Sequence, residues 1–61
     1  MMIAVHFLGG SEICRLREKE NHWEVCTATD WEEVLAIGDT PEEAIRRASR
    51  ALTNLRNRGI A

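Results

Sequence analysis

Four side chains of this 61-residue sequence are of the types that bind soft metal ions or act as nucleophiles: His6, Cys14, His22 and Cys26. None of them forms a Cys-x-x-Cys or His-x-x-x-His pair, the spacings that bring two ligands together. A catalytic thiol also needs a base and a third group that orients the base, and no such group accompanies His22 and Cys26. We therefore expect no metal site, no cofactor and no catalytic residues, and so a protein that is not an enzyme.

A second cluster surrounds one aromatic residue, with Asp30, Glu32 and Glu33 flanking Trp31. A divalent cation would need convergent, rigidly held oxygens, so a solvated acidic turn is the simpler interpretation of the acids. An aromatic side chain in a charged loop is typical of an anchor for a partner protein. The same pattern is compatible with a tryptophan that folds back over the edge of a sheet. These four residues are the candidate partner-binding site.

Charge is unevenly distributed along the chain. The net charge is −2, with −4 in residues 1–38 and +2 in residues 39–61, where all five basic residues are arginine. Arg46, Arg47 and Arg50 are candidate contacts for nucleic acid, with the solvated face of a helix as the alternative. A nucleic-acid module of this kind would lose affinity steeply as salt rises.

Length limits what the chain can do alone. A domain of 61 residues buries only about 60% of the surface that its unfolded chain exposes, so we expect a homo-oligomer, a dimer or higher, or a partner protein. No apolar run approaches the ~20 residues of a membrane span, and no signal peptide is visible at the N-terminus. Two cysteines are fewer than a disulfide framework uses. We expect a cytoplasmic, reduced protein without membrane contact.

Runs rich in strand formers predict three or four strands at about residues 2–8, 12–18, 23–29 and 34–37. A type I′ turn at Gly9-Gly10 would join the first two strands with Leu8 opposite Ser11. A loop over residues 19–22 would place Glu18 opposite Trp23. Cross-strand neighbours share a face, and this register collects one apolar face from Ile3, Val5, Phe7, Cys14, Leu16, Trp23 and Val25. The opposite face is mixed, with no second helix to cover Ala4, Leu8, Ile13, Cys26 and Ala28.

A helix is predicted at about residues 41–57. Thr40 is a good N-cap, Pro41 fits the first helical position, and Glu43 completes a capping box. Pairs Glu42–Arg46 and Glu43–Arg47 have favourable i, i+4 spacing. An apolar stripe is formed by Ala44, Ile45, Ala48, Ala51, Leu52 and Leu55. The prediction is one α+β domain over residues 1–61, an antiparallel meander with one C-terminal helix packed on one face.

The segment that joins the last strand to the helix resembles the HicB-like antitoxin family. The resemblance rests on Gly38, Asp39, Thr40, Pro41, Glu42, Glu43 and Ala44, followed by Ala51-Leu52, and on the charged hairpin with an aromatic over residues 19–25. It implies a degenerate RNase H-like fold without nuclease activity. It also implies that the protein neutralises a small basic mRNA-cleaving toxin, HicA, by covering its active site, and that it oligomerises.

Two departures from the family bear on function. Residues 29–33 contain neither proline nor glycine, where the family has a Pro-Asp-Leu-Pro-Gly-like loop. Longer members continue after the helix into a DNA-binding domain, so we expect no operator binding from this sequence. The leading hypothesis is a small HicB-like antitoxin or a relative of it. The alternatives are a nucleic-acid module that uses the arginine helix, or an orphan or phage-encoded inhibitor of another enzyme.

Overall fold

The computed structural model describes the backbone of residues 1–60 and the side chains of residues 1–58. Its elements are β1 (Met2–Phe7), β2 (Gly10–Glu18), β3 (Trp23–Thr27), β4 (Val34–Gly38) and α1 (Pro41–Ile60). The strands form one antiparallel sheet in the order β1-β2-β3-β4. The predicted α+β meander with one C-terminal helix is confirmed, with four strands. No helix over the described residues is both long enough and apolar enough to cross a membrane.

One face of the sheet packs against α1, and the core lies between them. Its buried members are Val5, Cys14, Leu16, Val25, Ala44, Ala48 and Leu52. The partly buried Ile3, Phe7 and Trp23 pack against them, so every residue of the predicted apolar face contributes. Two alanines on the helix stripe are fully buried, which lets the helix axis approach the sheet closely. We call the opposite side of the sheet the open face, and it carries Met2, Ala4, Ile13, Arg15, Cys26, Val34 and Ile37.

The two hairpins differ in how well their register follows from the sequence. Leu16 pairs with Val25 and Glu18 with Trp23, as predicted. The β1–β2 register is wrong by two residues, because Phe7 pairs with Gly10 and the two-residue loop is Leu8-Gly9. Only the second loop position needs a positive φ here, and Gly9 supplies it at 113°. A shift of two residues keeps each side chain on its face, so the predicted core is unaffected.

The ends of several elements differ from the prediction. β3 stops at Thr27 rather than at residue 29, because the backbone turns there into a loop over residues 28–33. A bulge interrupts the β3–β4 ladder between Val25 and Cys26. α1 continues to Ile60, three residues beyond its predicted end.

The predicted N-cap is present, but the capping box is only half formed. The Glu43 backbone N–H donates to Thr40 Oγ1 at 3.1 Å, which satisfies one of the free donors of the first turn. The Glu43 carboxylate pairs with Arg47 at 2.9 Å instead of returning to the Thr40 N–H. Among the described side chains, Glu42 and Arg46 do not form the predicted ion pair.

Gly38, the last residue of β4, sits directly against the first turn of α1. It is buried, and a Cβ atom at this position would stand 2.6 Å from Ala44 N and 3.0 Å from the Glu43 carbonyl carbon. Both are backbone atoms of the helix, so no side-chain rotation relieves the clash. The junction therefore admits only glycine at the observed spacing.

We expect Gly38→Ala to lower the free energy of unfolding by about 1–3 kcal/mol, because the added methyl group forces α1 away from β4. In a domain of this size each kcal/mol corresponds to roughly 4–8 °C in Tm, which thermal unfolding followed by circular dichroism measures. Ser11→Ala, at an exposed strand position, is the control and should change Tm little. An unchanged Tm for Gly38→Ala would show that the junction has room for a Cβ.

Candidate functional site

The candidate partner-binding residues all lie in the loop over residues 28–33, which is closed by hydrogen bonds at its base. The Thr27 N–H donates to the Glu33 carbonyl at 2.8 Å, and the Glu33 N–H donates to Thr27 Oγ1 at 3.0 Å. Inside the loop, the Glu32 N–H donates to the Thr29 carbonyl at 3.1 Å. The backbone between the two strands is therefore held in one shape.

The Glu32 side chain extends from this loop to the open face, where its ion pairs hold the loop against β2. Its carboxylate pairs with Arg15 and, at 2.6 Å, with Arg17, two neighbours on the same face of β2. Glu32 has a φ of 46° and is the one non-glycine residue of the described backbone with positive φ. Hydrogen bonding and charge from Arg17, followed by charge from Arg15, lower the pKa of the Glu32 carboxyl. In the structure Glu32 therefore pairs with residues of its own chain. Its contact with a partner protein stays a prediction.

Trp31 is a surface residue of this loop. Its side chain is 90% exposed, the largest exposure among the large hydrophobic side chains. This exposure rules out the alternative in which the indole folds back over the edge of the sheet. Asp30 and Glu33 on either side are exposed as well, so the loop presents an aromatic group between carboxylates.

Trp31 is one of the residues that line a groove of about 490 Å³. The groove opens between the loop, the end of the sheet and the C-terminal half of α1. Its lining consists of Phe7, Glu12, Thr27, Thr29, Trp31, Glu33, Leu35, Leu52, Leu55 and Arg56. A smaller depression of about 270 Å³ continues it along α1 and shares Glu33, Leu35 and Leu55. Leu55 is half exposed at 51%, although it belongs to the predicted apolar stripe.

Sequence reasoning missed this groove. Its residues come from all four strands, the β3–β4 loop and α1, and no pattern within one segment connects them. The signals available in the sequence were the isolated Trp31 and the last leucine of the helix stripe. Only the crossing of the helix over the sheet brings these two together.

The four potential metal ligands do not converge. Cys14 lies in the core and Cys26 is fully buried, with its thiol 3.9 Å from Glu24 Oε1. His22 Nε2 is 3.2 Å from the other oxygen of Glu24. Burial, with charge from Glu12, raises the pKa of the Cys14 thiol. Among the described residues no group of three or more His, Cys, Asp and Glu side chains is placed to hold a metal ion.

The burial of Cys26 differs from what the sequence predicts for the open face. The sequence predicts it as uncovered, but its relative exposure is 0%. Its cross-strand neighbours Arg15 and Val34, together with Glu24, occupy the space around it. Both cysteines are free thiols, and they belong to opposite sides of the sheet.

The three arginines proposed as nucleic-acid contacts are not equivalent. Arg47 donates to the Ile37 carbonyl at 3.0 Å and pairs with Glu43, so it joins α1 to the end of β4. Arg46 and Arg50 are exposed and lie on the outer part of the helix. Contact of these residues with nucleic acid stays a prediction.

The residues that carry the family resemblance form the junction between β4 and α1. Gly38 permits the close approach of β4 to α1, Thr40 is the N-cap of the helix, and Ala44 is fully buried. Asp39 and Glu42 are exposed. Packing of a strand against a helix thus accounts for the buried part of the motif, and the motif itself forms no pocket.

The sequence matches no family model, and searches of curated proteins and of solved structures found no match. Function therefore has to be inferred from the geometry of the loop and groove, from the charges around them and from the resemblance of residues 38–44.

We expect Glu32→Gln to lower Tm at pH 7 by removing the charged partner of Arg15 and Arg17. Because folding lowers the pKa of Glu32, its stabilising contribution is present above its unfolded pKa and is lost as pH falls through its folded pKa. The difference in Tm between wild type and variant should therefore shrink on acidification below about pH 4.

Thermal unfolding at several pH values measures this difference. Glu20→Gln is the matched control, since Glu20 is exposed in the β2–β3 turn and should show a small difference at every pH. If the Tm difference between wild type and the Glu32→Gln variant is as large at low pH as at pH 7, the ion pairs of Glu32 do not stabilise the fold.

Proposed function

We propose that this protein is a non-catalytic protein-binding module, a HicB-like antitoxin or a relative of it. It acts in the cytoplasm and neutralises a small basic RNase toxin, similar to HicA, by covering its surface. The observation that carries the proposal is the 90% exposure of Trp31 on a loop that hydrogen bonds and the Glu32 ion pairs hold in place.

A solvent-exposed tryptophan on an ordered loop is suited to supply a large share of the binding free energy of an interface. Tryptophan is among the residues most enriched at the energetic centres of interfaces. The loop is ordered by Thr27, Glu33 and the ion pairs of Glu32 before any partner arrives. Binding then costs less conformational entropy than it would for a flexible loop.

The charge of the surface supports a basic partner. Residues 1–38 carry a net charge of −4, and Asp30 and Glu33 are exposed beside Trp31. Complementary charge accelerates encounter and disfavours acidic partners. A basic RNase, whose surface must attract RNA, has the required sign.

The first test uses a neighbouring reading frame that encodes a small basic protein. We expect its product to form a complex with this chain and to lose its RNA-cleaving activity in that complex. Trp31→Ala should weaken binding by about 2 kcal/mol or more, roughly 30-fold in Kd, as measured by isothermal titration calorimetry.

Asn21→Ala is the control for this experiment, because Asn21 is exposed and lies in the β2–β3 turn, at the opposite end of the sheet from the loop. It should bind as tightly as wild type. Absence of a complex with the neighbour's product, or equal affinity of the Trp31→Ala variant, would reject the proposed function or its proposed contact.

We propose further that the chain self-associates through the open face. Large apolar side chains remain about half exposed there at Met2, Ile13, Val34 and Ile37. They pair across the strands with other open-face residues, among them Arg15, Ala4 and Cys26. Covering this apolar area with a second copy would add the burial that a chain of 61 residues lacks.

Sedimentation analysis across a range of protein concentrations tests this proposal. We expect a mass above that of the monomer, and we expect Ile13→Lys to shift it to the monomer, because a charge would be buried at the contact. The sequence predicts Leu8 on the uncovered face, but the structure places it in the β1–β2 turn, so Leu8→Lys should leave the mass unchanged. A monomeric wild type at all concentrations would reject self-association.

A further inference from the structure

We propose that the groove beside Trp31 receives an arginine side chain from the surface of the partner protein. This inference rests on the proposed function, since it names the chemical group that the partner would present. The aliphatic part of the arginine lies along Leu35 and Leu55, and its guanidinium stacks on the Trp31 indole and pairs with Glu33 and Glu12.

The lining of the groove combines the two surfaces that an arginine needs. Leu35, Leu52, Leu55 and Phe7 supply an apolar floor, against which long charged side chains lay their methylene groups. Trp31 supplies an exposed aromatic wall, and tryptophan is the best aromatic acceptor for a cation. A volume of about 490 Å³ lies at the lower end of the roughly 300–1,000 Å³ typical of small-molecule sites, which suits one side chain better than a folded element.

The carboxylates at the groove form no ion pair with a cation from the described part of the chain. Arg15 and Arg17 are occupied by Glu32, and Arg47 by Glu43. Glu12 and Glu33 line the groove, and no described basic side chain lies within ion-pair distance of either. Their negative charge is therefore available to an incoming cation.

One cation of the chain itself, Arg56, lines the groove. The Arg56 side chain runs along the β1–β2 turn, where its Nε would be 3.2 Å from a Cβ at Gly9. It thus forms the end wall of the groove without pairing with Glu12 or Glu33. Trp31, which also lines the groove, stays 90% exposed and accessible.

Arginine fits these groups better than lysine does. The planar guanidinium stacks on an aromatic face and at the same time donates two parallel hydrogen bonds to a carboxylate. An ammonium group is more strongly hydrated and offers no planar surface to the indole. The arrangement therefore selects arginine within a basic partner surface.

The test needs no partner protein. A capped tripeptide with arginine between two glycines is titrated at low salt into isotopically labelled protein, and the indole N–H signals of the two tryptophans are followed by NMR. Trp31→Leu assigns the two signals. We expect a saturable shift of the Trp31 signal with Kd on the order of millimolar, while the signal of the partly buried Trp23 stays in place.

Two further peptides and three variants make the result specific. The citrulline tripeptide, which has the same shape without the charge, should bind at least about tenfold more weakly, and the lysine tripeptide should bind more weakly than arginine. Glu33→Gln and Glu12→Gln should each weaken arginine binding. Glu20→Gln, an exposed acid outside the groove, should leave it unchanged.

The outcomes separate this inference from the proposed function. Equal shifts with citrulline and arginine, no saturable shift at Trp31, or full binding by the Glu33→Gln and Glu12→Gln variants would overturn the arginine site. A complex with the basic neighbour that depends on Trp31 would still stand in that case. Conversely, selective binding of the arginine tripeptide without any such complex would keep the site and reject the antitoxin function.

Discussion

The contact between the end of β4 and the first turn of α1 fixes how the helix lies on the sheet. Gly38 and Ala44 approach so closely that no Cβ fits between them, and Thr40 caps the helix at the same point. Beyond this contact, the small and fully buried Ala44 and Ala48 let α1 pack closely against the sheet. The position of every later helix residue, including those that line the groove, depends on this contact.

The helix also satisfies backbone groups along both edge strands. Arg47 donates to the Ile37 carbonyl of β4, and Ser49 Oγ donates to the His6 carbonyl of β1. Farther along, the Leu8 N–H donates to Thr53 Oγ1 at 3.2 Å. Unpaired edge groups invite pairing with other chains. The helix side chains satisfy these particular groups, and we place the proposed contacts on the open face and in the groove.

Loop 28–33 and the groove divide the acidic residues into two roles. Glu32 accepts a left-handed backbone conformation, which is unfavourable for a residue with a side chain, and its ion pairs with Arg15 and Arg17 offset this cost. Trp31, the neighbour of Glu32 in the loop, stays 90% exposed. Glu12 and Glu33 form no ion pair with a described cation, so their charge remains available at the groove.

The sequence by itself determined the class of fold, the two faces of the sheet and the start of the helix. Strand alternation and the Thr40-Pro41 signal are local, and alternation survives the two-residue shift of the first hairpin because side chains repeat with period two. Local patterns did not determine which residues occupy the β1–β2 loop, since Gly9 and Gly10 both tolerate a positive φ. Nor could they predict the inward turn of Glu32, the burial of Cys26 or the groove. Each of these depends on side chains from separate segments, which only the packing of α1 and the loop against the sheet brings together.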